Sequence, residues 1–199
     1  VDNIVFDLGN VLFKFDPKEI LEDLFEDESV KKRIIKGVFQ TKIWSELDRG
    51  IISYEEACRI WLEKNPELQK ELKLLLENWH KYLIPIEENI SLLYELKSKG
   101  KKLYVLSNFH EHAFNYITSL HSFFELFDGM IISYQVNLLK PEKEIFKLLL
   151  DEYDLVPEQT VFIDDVLQNV QVAEQVGIKG ILYKDPSQLR EQLEKLLKN

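Results

Sequence analysis

The chain has 199 residues, which allows one domain with a substantial core, or one domain carrying an insertion. It is 45% hydrophobic and 30% charged, a globular composition, and its formal net charge is −10. Such a surface repels phosphate backbones and anionic lipid, which excludes nucleic acid and membranes as expected partners. Any anionic substrate must then find a local positive device.

In chain order, the apolar run at 4–6 predicts a first strand, closed by Asp7 and a glycine turn. From 16 to 84 only helical periods occur. They are Ile20, Leu21, Leu24 and Phe25; then Val30, Ile34, Ile35 and Val38; then Leu68, Leu72, Leu75, Leu76 and Trp79. From Pro85 onward strands and helices alternate. A helix through Ile86, Ile90, Leu93 and Leu96 precedes strands at 103–106 and 130–132. Pro141 suits the first turn of a helix through Ile145, Leu148 and Leu149. A strand at 161–163 follows, then a helix ended by Gly177, a strand at 178–183 and a last helix on Leu189, Leu193, Leu196 and Leu197.

Fully apolar strands separated by helices predict an α/β fold with a doubly wound, Rossmann-like parallel sheet. The strandless stretch predicts an all-helical cap domain inserted after the first strand. The expected division is a core of 1–15 with 85–199 and a cap of 16–84. Cys58 is the single cysteine, so no disulfide forms within the chain, and we expect a buried, inert thiol. With no basic leader and no long apolar run, the chain reads as cytoplasmic, a monomer or small homo-oligomer.

Ligands of doubly wound sheets bind beyond the carboxyl ends of the strands. Four pieces sit there: Asp7; Ser107 with Asn108; Lys140 before Pro141; and Asp164 with Asp165, followed by Asn169. Singly, each has an ordinary reading as a helix cap or a surface charge. Together, three carboxylates at neighbouring strand ends would repel one another unless a cation lies between them. Lys140 and a divalent ion supply that charge, and an oxygen-only set suits Mg²⁺. Asp7 can then attack phosphorus and form an aspartyl-phosphate, while Ser107 and backbone N–H groups near Asn108 hold the phosphate.

The stretches "FDLGNVL", "VLSN", "LKPE" and "FIDDVLQNV" with "AEQVGI" resemble, in order and spacing, the four motifs of the haloacid dehalogenase-like hydrolases. The resemblance covers nearly the whole chain and is strongest to phosphatases carrying "DLGN", some of which act on sugar phosphates such as α-D-glucose 1-phosphate. It implies Asp7 as nucleophile and metal ligand, and Asp165 as the more direct metal ligand of the acidic pair, with Asp164 beside it. It also implies that Ser107, Asn108 and Lys140 bind phosphate.

One position departs. Most phosphatases of this family carry a general acid two residues after the nucleophile, and here that residue is Gly9. Glycine keeps the backbone carbonyl as a metal contact but loses the acid, which is worth about 10²–10⁴-fold. Either Asp16, His110, Glu111 or His112 supplies the proton, or the substrate has a good leaving group, such as a sugar 1-phosphate. We favour the second. The alternatives are a metal-independent dehalogenase, a phospho-acceptor receiver module and a catalytically silent regulator.

His80 and His121 read as ordinary helix residues, and Trp44, Trp61 and Trp79 as cap core, one of which could face the substrate. The acidic group at Asp23, Glu26, Asp27 and Glu28 reads as a solvated helix end.

Overall fold

The computed structural model describes residues 1–197. Strand β1 (Asn3–Phe6) is followed by the two-residue β2 (Phe13–Lys14). Helices α1 (Pro17–Leu24), α2 (Glu28–Ile34), α3 (Lys42–Asp48), α4 (Tyr54–Lys64) and α5 (Gln69–Asn78) come next, and β3 (Ile84–Pro85) closes this excursion. The chain then alternates through α6 (Glu87–Ser98), β4 (Lys102–Ser107), α7 (Glu111–Leu120), β5 (Gly129–Ile132), α8 (Ser133–Val136) and α9 (Lys143–Glu152). It ends with β6 (Thr160–Asp164), α10 (Leu167–Gln175), β7 (Lys179–Leu182) and α11 (Pro186–Leu197).

The main sheet is parallel, in the order β5-β4-β1-β6-β7. Ile4, Val5 and Phe6 of the central strand are all fully buried because helices cover both faces. Alternation along the strand divides them. Ile4 and Phe6 join the apolar cluster that runs into Trp61 and Leu72 of the helical segment, whereas Val5 joins Phe146, Leu149 and Phe162. The chain leaves β1 toward β4 on one side and later returns to β6 on the other. Their common carboxyl edge is therefore the topological switch point where doubly wound sheets form clefts.

Between the sheet and the helical segment the chain crosses twice, side by side, as a short antiparallel ribbon pairing Phe13 with Pro85 and Lys14 with Ile84. Two-residue strands carry no readable period, which is why the sequence shows no sign of them. Pro141 does not open a helix. It lies in a turn closed by Glu142 N–H donating to Leu139 C=O, and α9 begins at Lys143. Gly177, at φ +90°, follows α10 as expected. Asp27 is more than a solvated charge, since it caps α2 by accepting from the Ser29 and Val30 N–H groups.

Candidate active site

Asp7 follows the last residue of β1, and Asp164 is the last residue of the adjacent β6. Carboxylate oxygens of Asp7, Asp164 and Asp165 lie within 4.8 Å of one another. Lys140 enters between two of them, its Nζ 2.9 Å from Asp7 Oδ1 and 2.6 Å from Asp164 Oδ2. One ammonium does not balance three carboxylates in a buried place. Burial pushes Asp7 up to about 7, with Lys140 opposing and Asp164 adding to the shift. Burial, then Asp164, also raises Asp165. Burial alone would lower Lys140, but Asp7 and Asp164 hold its pKa above the usual lysine range. This uncompensated oxygen set fits a divalent cation of the Mg²⁺ type.

The two members of the acidic pair are placed differently. Asp164 is fully buried and accepts from Lys140 Nζ, from Asn169 Nδ2, which reaches Oδ1 at 3.1 Å and Oδ2 at 3.0 Å, and from Val166 N–H at 2.8 Å. Asp165 is partly exposed, and Asn10 Nδ2 donates to its Oδ2 at 3.2 Å. Asn10 also accepts from Phe15 N–H through Oδ1, so it ties the acidic pair to the start of the helical segment. The sequence reading passed over Asn10 because an asparagine after glycine is an ordinary turn residue.

On the other side of β1, Ser107 ends β4 with its hydroxyl buried beside the Asp7 carboxylate, and no well-aligned hydrogen bond holds it. Asn108 does something unforeseen. Its Oδ1 accepts from Lys140 N–H at 2.8 Å and its Nδ2 donates to Lys140 C=O at 2.9 Å. The amide is thus occupied in holding the lysine backbone, which leaves only the Asn108 main chain for an anion.

The helical segment reaches this edge through the end of α3. Ser133 Oγ donates to Asp48 C=O at 2.5 Å and accepts from Phe109 N–H at 2.9 Å. Asn137 and Arg49 exchange two bonds, of 2.9 and 3.0 Å, and Arg49 pairs with Glu142. Gly50 completes the joint at φ +75°, where an added Cβ would lie 2.4 Å from Tyr134 O. Gly50→Ala is expected to destabilise the protein through left-handed strain of about 1–2 kcal/mol and overpacking of about 1–3 kcal/mol. Urea unfolding would show this as a lower midpoint.

Between α3 and the sheet edge lies a small chamber of about 100 Å³, lined chiefly by Phe15, Trp44, Trp79, Leu83 and Phe109, with Gly9, Asp48, Asn108 and His110 as its polar or open positions. Trp61 is core, as expected, whereas Trp44 and Trp79 both face the chamber. A larger cleft of about 680 Å³ beside Tyr54 and His112 contains none of the strand-end residues.

Of the proposed proton donors, Asp16 is exposed and caps α1 by accepting from Lys18 N–H at 2.8 Å. Glu111 is exposed in the first turn of α7. His110 caps α7 and is packed among Trp44, Tyr54 and Trp79, where burial, then His112, pushes it down to about 3. Burial also lowers His112, which stacks on Tyr54 at 4.1 Å. Both imidazoles are neutral near pH 7 and carry no acidic proton to give. Cys58 is half-buried rather than buried, and burial raises its thiol.

An aspartate held by a buried lysine beside two further carboxylates, at the switch point of a Rossmann-like sheet, defines a metal-assisted hydrolase centre. Residues 1–177 match the model of the haloacid dehalogenase-like hydrolases, and the chain belongs to that family. It is 29% identical to the sesquiterpene phosphatase astK of Aspergillus oryzae over 91% of this chain and 89% of that one. It is 23% identical to the D-ribitol-5-phosphate phosphatase of Bacteroides thetaiotaomicron, over 99% and 98%. A family enzyme from the same bacterium, solved with magnesium and inorganic phosphate, shares the fold at a TM-score of 0.75, with 24% identity and 92% and 94% coverage. A hydrolase of the family from Porphyromonas gingivalis does so at 0.78, with 23% identity and 100% and 98% coverage.

Proposed function

We propose that the protein is a Mg²⁺-dependent phosphatase that hydrolyses a small phosphorylated metabolite through an aspartyl-phosphate on Asp7. The observation that carries this reading is Asp7, Lys140 and the acidic pair converging on one point, beside the buried hydroxyl of Ser107. Asp7 Oδ1 is engaged by Leu8 N–H at 2.8 Å and by Lys140, which leaves Oδ2 to attack phosphorus. Lys140 stabilises charge on the transferring oxygens, and Ser107 with the Asn108 main chain orients the phosphate. Asp7, the Gly9 carbonyl and Asp165 would hold Mg²⁺, with Asp164 beside them, and the ion would supply charge neutralisation at the phosphoryl group. The partial exposure of Asp165 supports it over Asp164, which is fully buried with both oxygens bonded.

Residues 16–84 act as the cap over a core of 1–15 and 85–199, and the cap supplies the walls that meet the leaving group. Among the described residues no helix is long and apolar enough to cross a membrane. A cytoplasmic monomer or small homo-oligomer acting on small molecules, not on nucleic acid or membranes, is in keeping with the acidic surface.

Two substrate classes are in play. The glycine at position 9 favours a good leaving group, such as the anomeric oxygen of a sugar 1-phosphate. The aromatic walls of the chamber favour an apolar alcohol instead, a reading also supported by the sesquiterpene phosphatase relative. Each buried methylene contributes roughly 0.8 kcal/mol, so short prenyl or alkyl phosphates are expected to exceed α-D-glucose 1-phosphate in kcat/KM by about tenfold or more. Phosphate release across such a panel decides between them. Activity that survives EDTA and releases chloride from 2-haloacids would replace the phosphatase reading with a dehalogenase.

A further inference from the structure

We propose that Asp48, delivered by the cap, is the catalytic acid that protonates the leaving group, in place of the acid missing at Gly9. This rests on the phosphatase reading above. Three independent features place Asp48 in that role.

First, Asp48 and Gly9 line the same chamber, and Gly9 lies two residues after Asp7. A Cβ built on Gly9 meets nothing within 4 Å, so glycine there is not demanded by packing or by a positive φ. It leaves open the space that a side chain would occupy, in a chamber to which the helical segment contributes the carboxyl of Asp48.

Second, the position of Asp48 is built. Its carbonyl is fixed by Ser133, the same hydroxyl that receives Phe109 N–H from the loop following Ser107. The next two residues are locked to the core by Asn137, Glu142 and the close approach of Gly50 to Tyr134. The cap therefore docks through this turn, and Asp48 stands in the chamber whenever it is docked.

Third, the surroundings favour the protonated form. Among the described residues no hydrogen bond or ion pair engages the Asp48 carboxyl. The titratable groups around it are Asp7, just after β1, which acts on its charge, and His110 at the start of α7, which lines the same chamber, while the residue after β2 and the turn after α5 contribute only Phe15, Trp79 and Leu83. Burial, then the charge of Asp7, pushes Asp48 up to about 8.

The steps balance. As Asp7 Oδ2 bonds to phosphorus and the phosphorus–leaving oxygen bond breaks, the Asp48 proton passes to the departing oxygen. The Asp48 carboxylate then takes a proton from the water that attacks phosphorus as the Asp7–phosphorus bond breaks, and both aspartates are restored.

The test compares the Mg²⁺-loaded wild type with Asp48→Asn and Asp48→Ala on p-nitrophenyl phosphate and on butyl phosphate. An alkoxide needs the proton and p-nitrophenolate does not. The kcat/KM for butyl phosphate is expected to fall about 10²–10⁴-fold, and that for p-nitrophenyl phosphate far less. Equal losses on both substrates would make Asp48 a positioning residue, and no loss on butyl phosphate would remove it from the reaction; either result overturns the proposal. If the variants do not fold, the wild type still decides. Its butyl to p-nitrophenyl ratio of kcat/KM should drop as pH rises through the ionisation of Asp48, and a flat ratio overturns the assignment. Mg²⁺ dependence and the Asp7→Asn variant, read on p-nitrophenyl phosphate alone, test the underlying phosphatase reading separately.

Discussion

Asp7→Asn is expected to lose steady-state phosphate release by on the order of 10⁴–10⁶-fold, the range for removal of an attacking group. Asparagine keeps the shape of the side chain and can still accept from Leu8 N–H through Oδ1. It cannot form an acyl phosphate that turns over. Stability should move the other way. Burial holds the Asp7 pKa at about 7, so above that pH its charged form is a cost to the folded state. The neutral amide removes that cost and leaves Lys140 paired with Asp164 at 2.6 Å. Without Mg²⁺ at pH 8, the variant should unfold at a urea concentration no lower than the wild type. A variant that is both dead and markedly unstable would indicate lost structure, not a lost nucleophile. Acid-stable phosphate label retained on wild-type protein quenched during turnover of labelled substrate, against none on the variant, would complete the case.

Lys140→Met should combine a large catalytic loss with a stability loss of about 3–5 kcal/mol, the range for breaking a buried ion pair. Methionine fills the volume but leaves Asp7 and Asp164 facing each other without their shared cation. The pH dependence has a defined sign. Asp7 in the folded protein is already raised from 3.8 to about 7, and removal of the lysine raises it further. Between those values the folded state binds more protons than the unfolded state, so stability falls as pH rises. The deficit of the variant should therefore be larger at pH 8 than at pH 5. Added Mg²⁺ should recover part of it at pH 8, because the ion binds the folded carboxylates and not the unfolded chain. Urea midpoints at the two pH values, with and without Mg²⁺, check this. A deficit independent of both would mean that Lys140 matters only as packing.

Much of the site was legible because its residues end strands that announce themselves. Ile4 to Phe6, 103–106 and 161–163 are continuous apolar runs, and whatever polar residue closes such a run in a doubly wound sheet stands at the cleft. Asp7, Ser107, Asp164 and Asp165 are found that way, and Lys140 by its place in the order of motifs. The bonding of those residues was not legible. Nothing in "VLSN" tells that the Asn108 amide is spent on the Lys140 backbone, since the partner lies 32 residues away. The histidines of "FHEHAF" look available for proton transfer in sequence, yet packing against Trp44, Tyr54 and Trp79 strips His110 of its charge.

Asp48 marks the division most clearly. In "WSELDRG" it is one acidic residue at the end of an amphipathic helix, with no period, spacing or neighbour to distinguish it from Glu46. The sequence by itself determined the parallel sheet, the helical excursion and the strand-end carboxylates, because burial periodicity and strand ends are local properties of the chain. Only the tertiary structure decided which residue of the helical segment meets Asp7. That choice depends on how α3 seats against Ser133, Asn137 and Glu142, contacts between residues some 85 to 93 positions apart. Long-range docking of this kind leaves no trace in local pattern, and it brings Asp48 to the open space at Gly9.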